Sequence, residues 1–287
     1  MTHRKDLDQI FTANAKPLVM GILNLDPGSF YPDSIAHSDM QALKMVESKI
    51  EDGMDILDIG AFSSRPGAKI PLEEAEIQLI IPVLQKIRAA FPDLPISIDT
   101  MRASVAQRCL DIGADLINDI SGGAFDPDLP LVMSKSHAIY IAMHMKGIPE
   151  NMQHVDNTTY LNVVDDVLKY FQQKICFFKT MGLHKLIIDP GFGFSKKLQD
   201  NYELLRTIYL FKILEKPLLI GVSRKSMIWK ITNSSASDAL IGSIVAAFYA
   251  LLNSCTILRV HDVKETTQML NVFYAIQDPN YFDNQQS

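Results

Sequence analysis

Two features of the sequence predict a (β/α)8 barrel, the α/β fold also called a TIM barrel. Eight short β-branched or aliphatic runs alternate with longer helix-like segments along the whole chain, the rhythm of parallel strands joined by crossover helices. Most of those runs also end on polar or charged residues, and a closed barrel gathers its strand ends at one face. A doubly wound open sheet, the competing fold, would place its ligand groups at one switch point near the first turn. The 287 residues suit a barrel of about 250 residues. No linker, repeat or low-complexity segment divides them, so residues 1–287 are read as a single domain with its core over 17–275.

In order, the runs are PLVMGILN (17–24), MDILDIG (54–60), PISIDT (95–100), ADLINDI (114–120), AIYIAMH (138–144), HKLIIDP (184–190), KPLLIGVSR (216–224) and CTILRVHD (255–262). Helix-like segments lie between them at 39–52, 72–90, 104–112, 160–181 and 236–252, and another follows His261.

Side chains alternate faces along a strand, which sorts the polar strand ends. In the second run Ile56, Asp58 and Gly60 share a face; in the third, Ser97 and Asp99 oppose Ile96 and Ile98. Asn118 and Asp119 point to opposite sides of the fourth, and Asp189 closes the sixth before a Pro-Gly turn. A buried carboxylate is costly unless donors satisfy it, so several at one barrel mouth imply a metal or a ligand rich in N–H groups. No HxH or HExxH pattern supports a dedicated zinc or di-metal centre, although a hard cation held mainly by a substrate phosphate fits. A flat heterocycle with an amidine-like edge, as in a pterin, would satisfy a carboxylate through paired N–H donors, and Asp189 and Asn118, with Asp99 beside them, could read that edge. The seventh run brings Lys225, and Ser226 at a helix start; the eighth puts Arg259 and His261 on one face, a plausible phosphate grip. Arg65 lies in a turn fixed by Pro66 and Gly67 and reads as an anion clamp.

Composition narrows the function classes. With 27 basic and 33 acidic residues, a net charge of -6 gives no general attraction to nucleic acid or an anionic membrane. The first residues carry charges and no apolar run, no stretch of about 20 apolar residues follows, and the three cysteines form no CxxC pair. The expectation is a cytoplasmic protein that binds small molecules, with no nucleic-acid or membrane partner.

The fragments MGILNxxPxSF (20–30), DIGAFSSRPGA (58–68), ISIDT (96–100), INDI (117–120), DPGFGFSK (189–196), SRKSM (223–227) and RVHDV (259–263) resemble, in order and approximate spacing, those of the dihydropteroate synthase family. The resemblance implies condensation of 6-hydroxymethyl-7,8-dihydropterin diphosphate with 4-aminobenzoate, giving 7,8-dihydropteroate and diphosphate with Mg²⁺ assistance, in folate biosynthesis. By motif it implies a pterin pocket of Asp99, Asn118, Asp189 and Lys225. Asn24 with Mg²⁺, and Ser64, Arg65, Arg259 and His261, match the diphosphate site. Arg65, Pro66, Phe194, Lys225 and Ser226 match the aminobenzoate side. The family also implies a homodimer and sulfonamides as inhibitors.

Two stretches depart from the family pattern. Where the first loop usually reads Asn-Val-Thr-Pro-Asp-Ser-Phe, this chain has Asn24-Leu25-Asp26-Pro27-Gly28-Ser29-Phe30, and Phe62 stands where many members have glutamate. The altered first loop leaves an impaired pterin-diphosphate-binding paralogue as one alternative; a pterin-dependent methyltransferase, sharing the barrel and the pterin acids, is the other. Some residues invite structural readings. His144 divides between a satisfied structural histidine and a pocket wall, Phe192 reads as core, and Glu73, Glu74 and Glu76 read as a solvated first helical turn. The Lys196–Lys197 pair reads as solvated too.

Overall fold

The structure, a computed structural model, describes residues 7–12, 16–26, 35, 36, 38–62, 65 and 67–279. Each of the eight runs contains one strand: β1 (Leu18–Asn24), β2 (Ile56–Gly60), β3 (Ile96–Asp99), β4 (Leu116–Asp119), β5 (Ile139–Met143), β6 (Leu186–Asp189), β7 (Leu219–Ile220) and β8 (Ile257–Val260). All pairings are parallel and follow chain order, with β8 against β1. A parallel bridge from Ile188 to Leu218 joins β6 to β7 and completes the ring.

The helices are α1 (Asp39–Glu51), α2 (Glu73–Ala90), α3 (Ala103–Ile112), α4 (Leu129–Lys135), α5 (Val163–Thr180), α6 (Leu198–Arg206), α7 (Ser226–Ile231), α8 (Leu240–Leu252) and α9 (Val263–Gln277). Local chemistry sets their ends. Ser38 accepts from Gln41 N at the start of α1, Asn162 accepts from Val164 N and Asp165 N at the start of α5, and Gly113 ends α3 in the left-handed region at φ 111°. The helices α4, α6 and α7, at seven, nine and six residues, are too short to show a periodic signature. Among the described residues no helix is long and apolar enough to cross a membrane.

Strand alternation builds the interior in layers. Met20, Ile56, Leu116, Ile141, Ile187 and Ile257 fill the lower barrel, closed beneath by Ile10 of a 3-10 turn at Leu7–Phe11. The opposite faces, such as Leu57, Ile59, Ile96 and Ile98, pack outward in the large core shared with the helices. Two residues further along, the inward faces of β2, β4, β6 and β8 carry Asp58, Asn118, Asp189 and Arg259, and β3 adds Ser97 and Asp99. A third layer, Phe62, Met101, Ile120, Met143, Met145, Met152 and Phe194, forms an apolar rim at the mouth. The charged layer therefore lies between two apolar ones, which lowers the local dielectric and strengthens each of its charge contacts.

Two charged groups do not sit where the sequence suggested. Glu76 is fully buried rather than solvated; it accepts from Thr100 Oγ1 and Arg102 Nη1, both at 2.5 Å. These bonds offset its desolvation, which nonetheless holds its carboxyl above the usual range. Lys196 is also buried, at 3% exposure, whereas Lys197, Glu73 and Glu74 are exposed as expected.

Candidate active site

The polar layer converges on one guanidinium. Arg259 donates from Nε to Asp58 Oδ2 at 2.7 Å and from Nη2 to Asp99 Oδ2 at 2.9 Å. Asn118 Nδ2 donates to the same Asp58 oxygen at 3.3 Å. The C-terminal ends of β2, β3, β4 and β8 are thus tied together by side chains. The second oxygens, Asp58 Oδ1 and Asp99 Oδ1, are buried without a hydrogen-bond partner, which marks them as acceptors awaiting donors. Burial pushes the Asp99 carboxyl up to about 7, against the pull of Arg259.

Above this floor opens a cavity of about 590 Å³. Among the described residues its lining includes the basic side chains Arg65, Lys196, Lys197, Lys225, Lys230 and Arg259 against a single carboxylate, Asp99. In a chain of net charge -6, that concentration of positive groups makes a local anion site. Lys225 Nζ donates to the Phe192 carbonyl at 2.5 Å and stands 4.7 Å from the centre of the Phe194 ring. Burial lowers the Lys225 pKa to about 8 and that of Lys196 to about 7. His261 is held well below its ordinary value by burial and by Arg259. It therefore enters the site as a neutral imidazole.

Comparison with known proteins decides what this arrangement belongs to. Residues 20–261 match the family model described as pterin binding enzyme. The dihydropteroate synthase of Haemophilus influenzae is 40% identical over 261 residues, covering 90% of this chain and 94% of that one. The chain belongs to the dihydropteroate synthase family. Its fold agrees: the Yersinia pestis dihydropteroate synthase, in a sulfonamide drug complex, matches with a TM-score of 0.89 at 36% identity, over 96% of this chain and 98% of that one. The Xanthomonas albilineans dihydropteroate synthase with 4-aminobenzoic acid gives 0.83 at 33% identity, over 91% and 93%.

Within this dihydropteroate synthase barrel, eight residues singled out from the sequence line the cavity: Asn24, Arg65, Asp99, Phe194, Lys225, Ser226, Arg259 and His261. Two others do not. Asn118 is buried in the floor against Asp58, and Asp189 is buried at the end of β6, where Oδ1 accepts from Gly191 N at 2.8 Å. Ser64 and Pro66 lie outside the described residues, as does Gly28 of the first loop. His144 is structural: buried, edge-on to Tyr170 at 4.8 Å, with Nδ1 3.0 Å from Lys196 Nζ. Phe192 is core, and Phe62 belongs to the apolar rim and lines the cavity.

Sequence reasoning placed Asp58 on an inward face without a partner, and it missed other participants outright. Asp58 shares the inward face with Asp99, and that alternation was the available signal for its bond to Arg259. Trp229, the single tryptophan, and Met152 also line the cavity, and no local pattern distinguishes them from core. Arg224, one residue before Lys225, turns away at φ 53° and forks onto both oxygens of Asp262. It clamps the start of α7 to the end of β8, beside Lys225 and His261.

Proposed function

We propose that the polar floor binds the pterin ring and the cation-rich upper cavity binds its diphosphate and the arylamine. The activity is that of a dihydropteroate synthase, a transferase moving a pterinylmethyl group to 4-aminobenzoate. The observation that carries the assignment is the pairing of unsatisfied carboxylate oxygens at the floor with Arg65, Lys197, Lys225 and Lys230 in the cavity above it. An N–H-rich heterocycle meets the first, and an anion meets the second.

In this reading Asp99, Asn118 and Asp189 face the pterin edge, with Lys225 above the ring. Arg259 stands at the junction: it is bonded to the floor carboxylates and lines the cavity. Arg65, Arg259 and His261 hold the diphosphate, joined by Ser64. Phe194, Lys225 and Ser226, with Pro66, flank the arylamine. The amine nitrogen attacks the pterin methylene carbon as the carbon–oxygen bond to diphosphate breaks. Diphosphate departs with the bonding pair, and the nitrogen releases a proton to solvent. An arylamine is a weak nucleophile, so positive groups that stabilise the leaving charge lower the barrier most. At about 1.5–3 kcal/mol per charge-assisted bond and about 1.4 kcal/mol per tenfold in rate, two or three contacts supply several powers of ten.

Magnesium fits the donor set in one form only. Among the described residues no group of three or more His, Cys, Asp or Glu could hold a metal. The neutral Asn24 side chain at the end of β1 lines the cavity, and Mg²⁺ typically needs one or two protein oxygens when phosphates supply the rest. Asn24 would hold it, and the ion would neutralise charge on the departing diphosphate.

The three unpaired cysteines support the cytoplasm as compartment. The exposed Ile241, Val245 and Leu252 along α8, with Val272 and Ile276 on α9, form an apolar face suited to a second copy of the chain; sedimentation of the purified protein tests the homodimer. The functional test is diphosphate release from the pterin diphosphate with Mg²⁺ and 4-aminobenzoate. Release that depends on the arylamine, with dihydropteroate formed, is expected. Tight pterin-diphosphate binding without turnover would overturn the catalytic reading.

A further inference from the structure

The buried Lys196 has no function in the reaction described above, yet it occupies a built site. Its ammonium lies 3.0 Å from His144 Nδ1, 3.0 Å from the Gly191 carbonyl, 3.0 Å from the Phe194 carbonyl and 3.3 Å from the His144 carbonyl. Among the described residues none of its hydrogen-bond partners is a carboxylate. An ammonium buried without a bonded counter-ion is costly, so the sequence pays for something that a leucine or methionine would not provide. What it provides is a centre on which one turn is wound.

That turn, residues 191–195, takes a left-handed backbone at every second residue. Gly191, Gly193 and Ser195 all have positive φ, at 73°, 82° and 47°. A Cβ at Gly191 would collide with the His144 carbonyl oxygen. Carbonyls that point inward to the ammonium leave the other groups of the turn facing outward, and those outward groups belong to the cavity. The Phe192 carbonyl receives Lys225 Nζ, and the Phe194 ring stands under the same ammonium. From the far side, Ser195 Oγ accepts from Lys146 N at 2.9 Å and Gly193 N donates to Asn201 Oδ1 at 2.6 Å.

We propose that Lys196 is a positioning residue for the acceptor amine. It touches no reacting atom; it fixes the turn that sets the Phe194 ring against the arylamine. His144 completes its coordination as the one side-chain acceptor. The inference rests on the reading of Phe194 as an arylamine contact.

The test compares Lys196→Met and His144→Gln with the parent enzyme, measuring arylamine KM, pterin-diphosphate Kd by Trp229 fluorescence, and melting temperature. In Lys196→Met the arylamine KM rises about tenfold, equivalent to roughly 1.4 kcal/mol, while pterin-diphosphate Kd moves much less. His144→Gln shifts the same constant in the same direction by less, and it decides the matter if Lys196→Met does not fold. A purely structural lysine would lower melting temperature and the active fraction and leave KM flat, and that result in a folded variant overturns the proposal. Equal weakening of both ligands also overturns it. Phe194→Leu separates the two readings: a flat arylamine KM there, beside a raised one in Lys196→Met, overturns the assignment of Phe194 and leaves Lys196 as the support of the turn.

Discussion

Replacing Arg259 by methionine keeps an unbranched apolar stem and removes the guanidinium that holds two buried carboxylates. The side chains of Asp58, Asp99 and Arg259 are 0%, 9% and 20% exposed, so solvent screens these contacts weakly. Two charge-assisted bonds at about 1.5–3 kcal/mol each agree with the about 3–5 kcal/mol expected when one partner of a buried ion pair is removed. For a domain of this size, about 2–4 °C per kcal/mol turns that into a fall in melting temperature of about 6–20 °C.

The loss also depends on pH, and its sign follows from Asp99. Its folded pKa of about 7 exceeds the unfolded value of about 3.9. The folded state therefore binds that proton more tightly, and this contribution to stability is complete below pH of about 4 and lost as pH rises through about 7. Arg259 pulls the Asp99 pKa down, so its removal raises that pKa further and steepens the fall. The penalty of Arg259→Met is thus smaller near about pH 5 than near about pH 8. Urea unfolding followed by Trp229 fluorescence at both pH values measures it. A loss below about 1 kcal/mol, or one equal at both pH values, would refute the account of the floor as a charge cluster held by one cation.

Other expectations follow from the same geometry. Lys225→Ala and Asp189→Asn should each weaken pterin-diphosphate binding roughly 10- to 150-fold, the equivalent of one charge-assisted bond, with folding intact; unchanged affinity in both would sink the pocket assignment. Because burial brings Lys225 down to about 8, its cation is lost as pH rises through that value, and kcat/KM for the pterin diphosphate should fall there. Lys225→Arg, which stays charged, should remove that limb of the profile. Glu76→Ala leaves Arg102 unpaired beside a fully buried site and should cost about 3–5 kcal/mol of stability, read by unfolding, without changing arylamine KM. Asn24→Ala should raise the Mg²⁺ concentration needed for half-maximal turnover, and an unchanged requirement would remove Asn24 from the metal site.

The sequence by itself determined the eight strands and the direction of their side chains. Alternation depends only on the backbone of an extended chain, so Asp58, Asp99 and Arg259 could be placed on inward faces before any contact between them was known. The motifs at the strand ends likewise carried the family and most of the cavity lining. What the tertiary structure alone decided was the fate of individual charges. Glu76 looked like one more acid in an exposed first turn, and its burial depends on Thr100 and Arg102, which β3 and its following loop bring to it from more than twenty positions away. Lys196 beside Lys197 looked like a solvated pair, yet one is enclosed by carbonyls from the ends of β5 and β6 and the other faces water. A residue's type sets what it costs to bury, but only its distant neighbours can offset that cost, and no local pattern records where they lie.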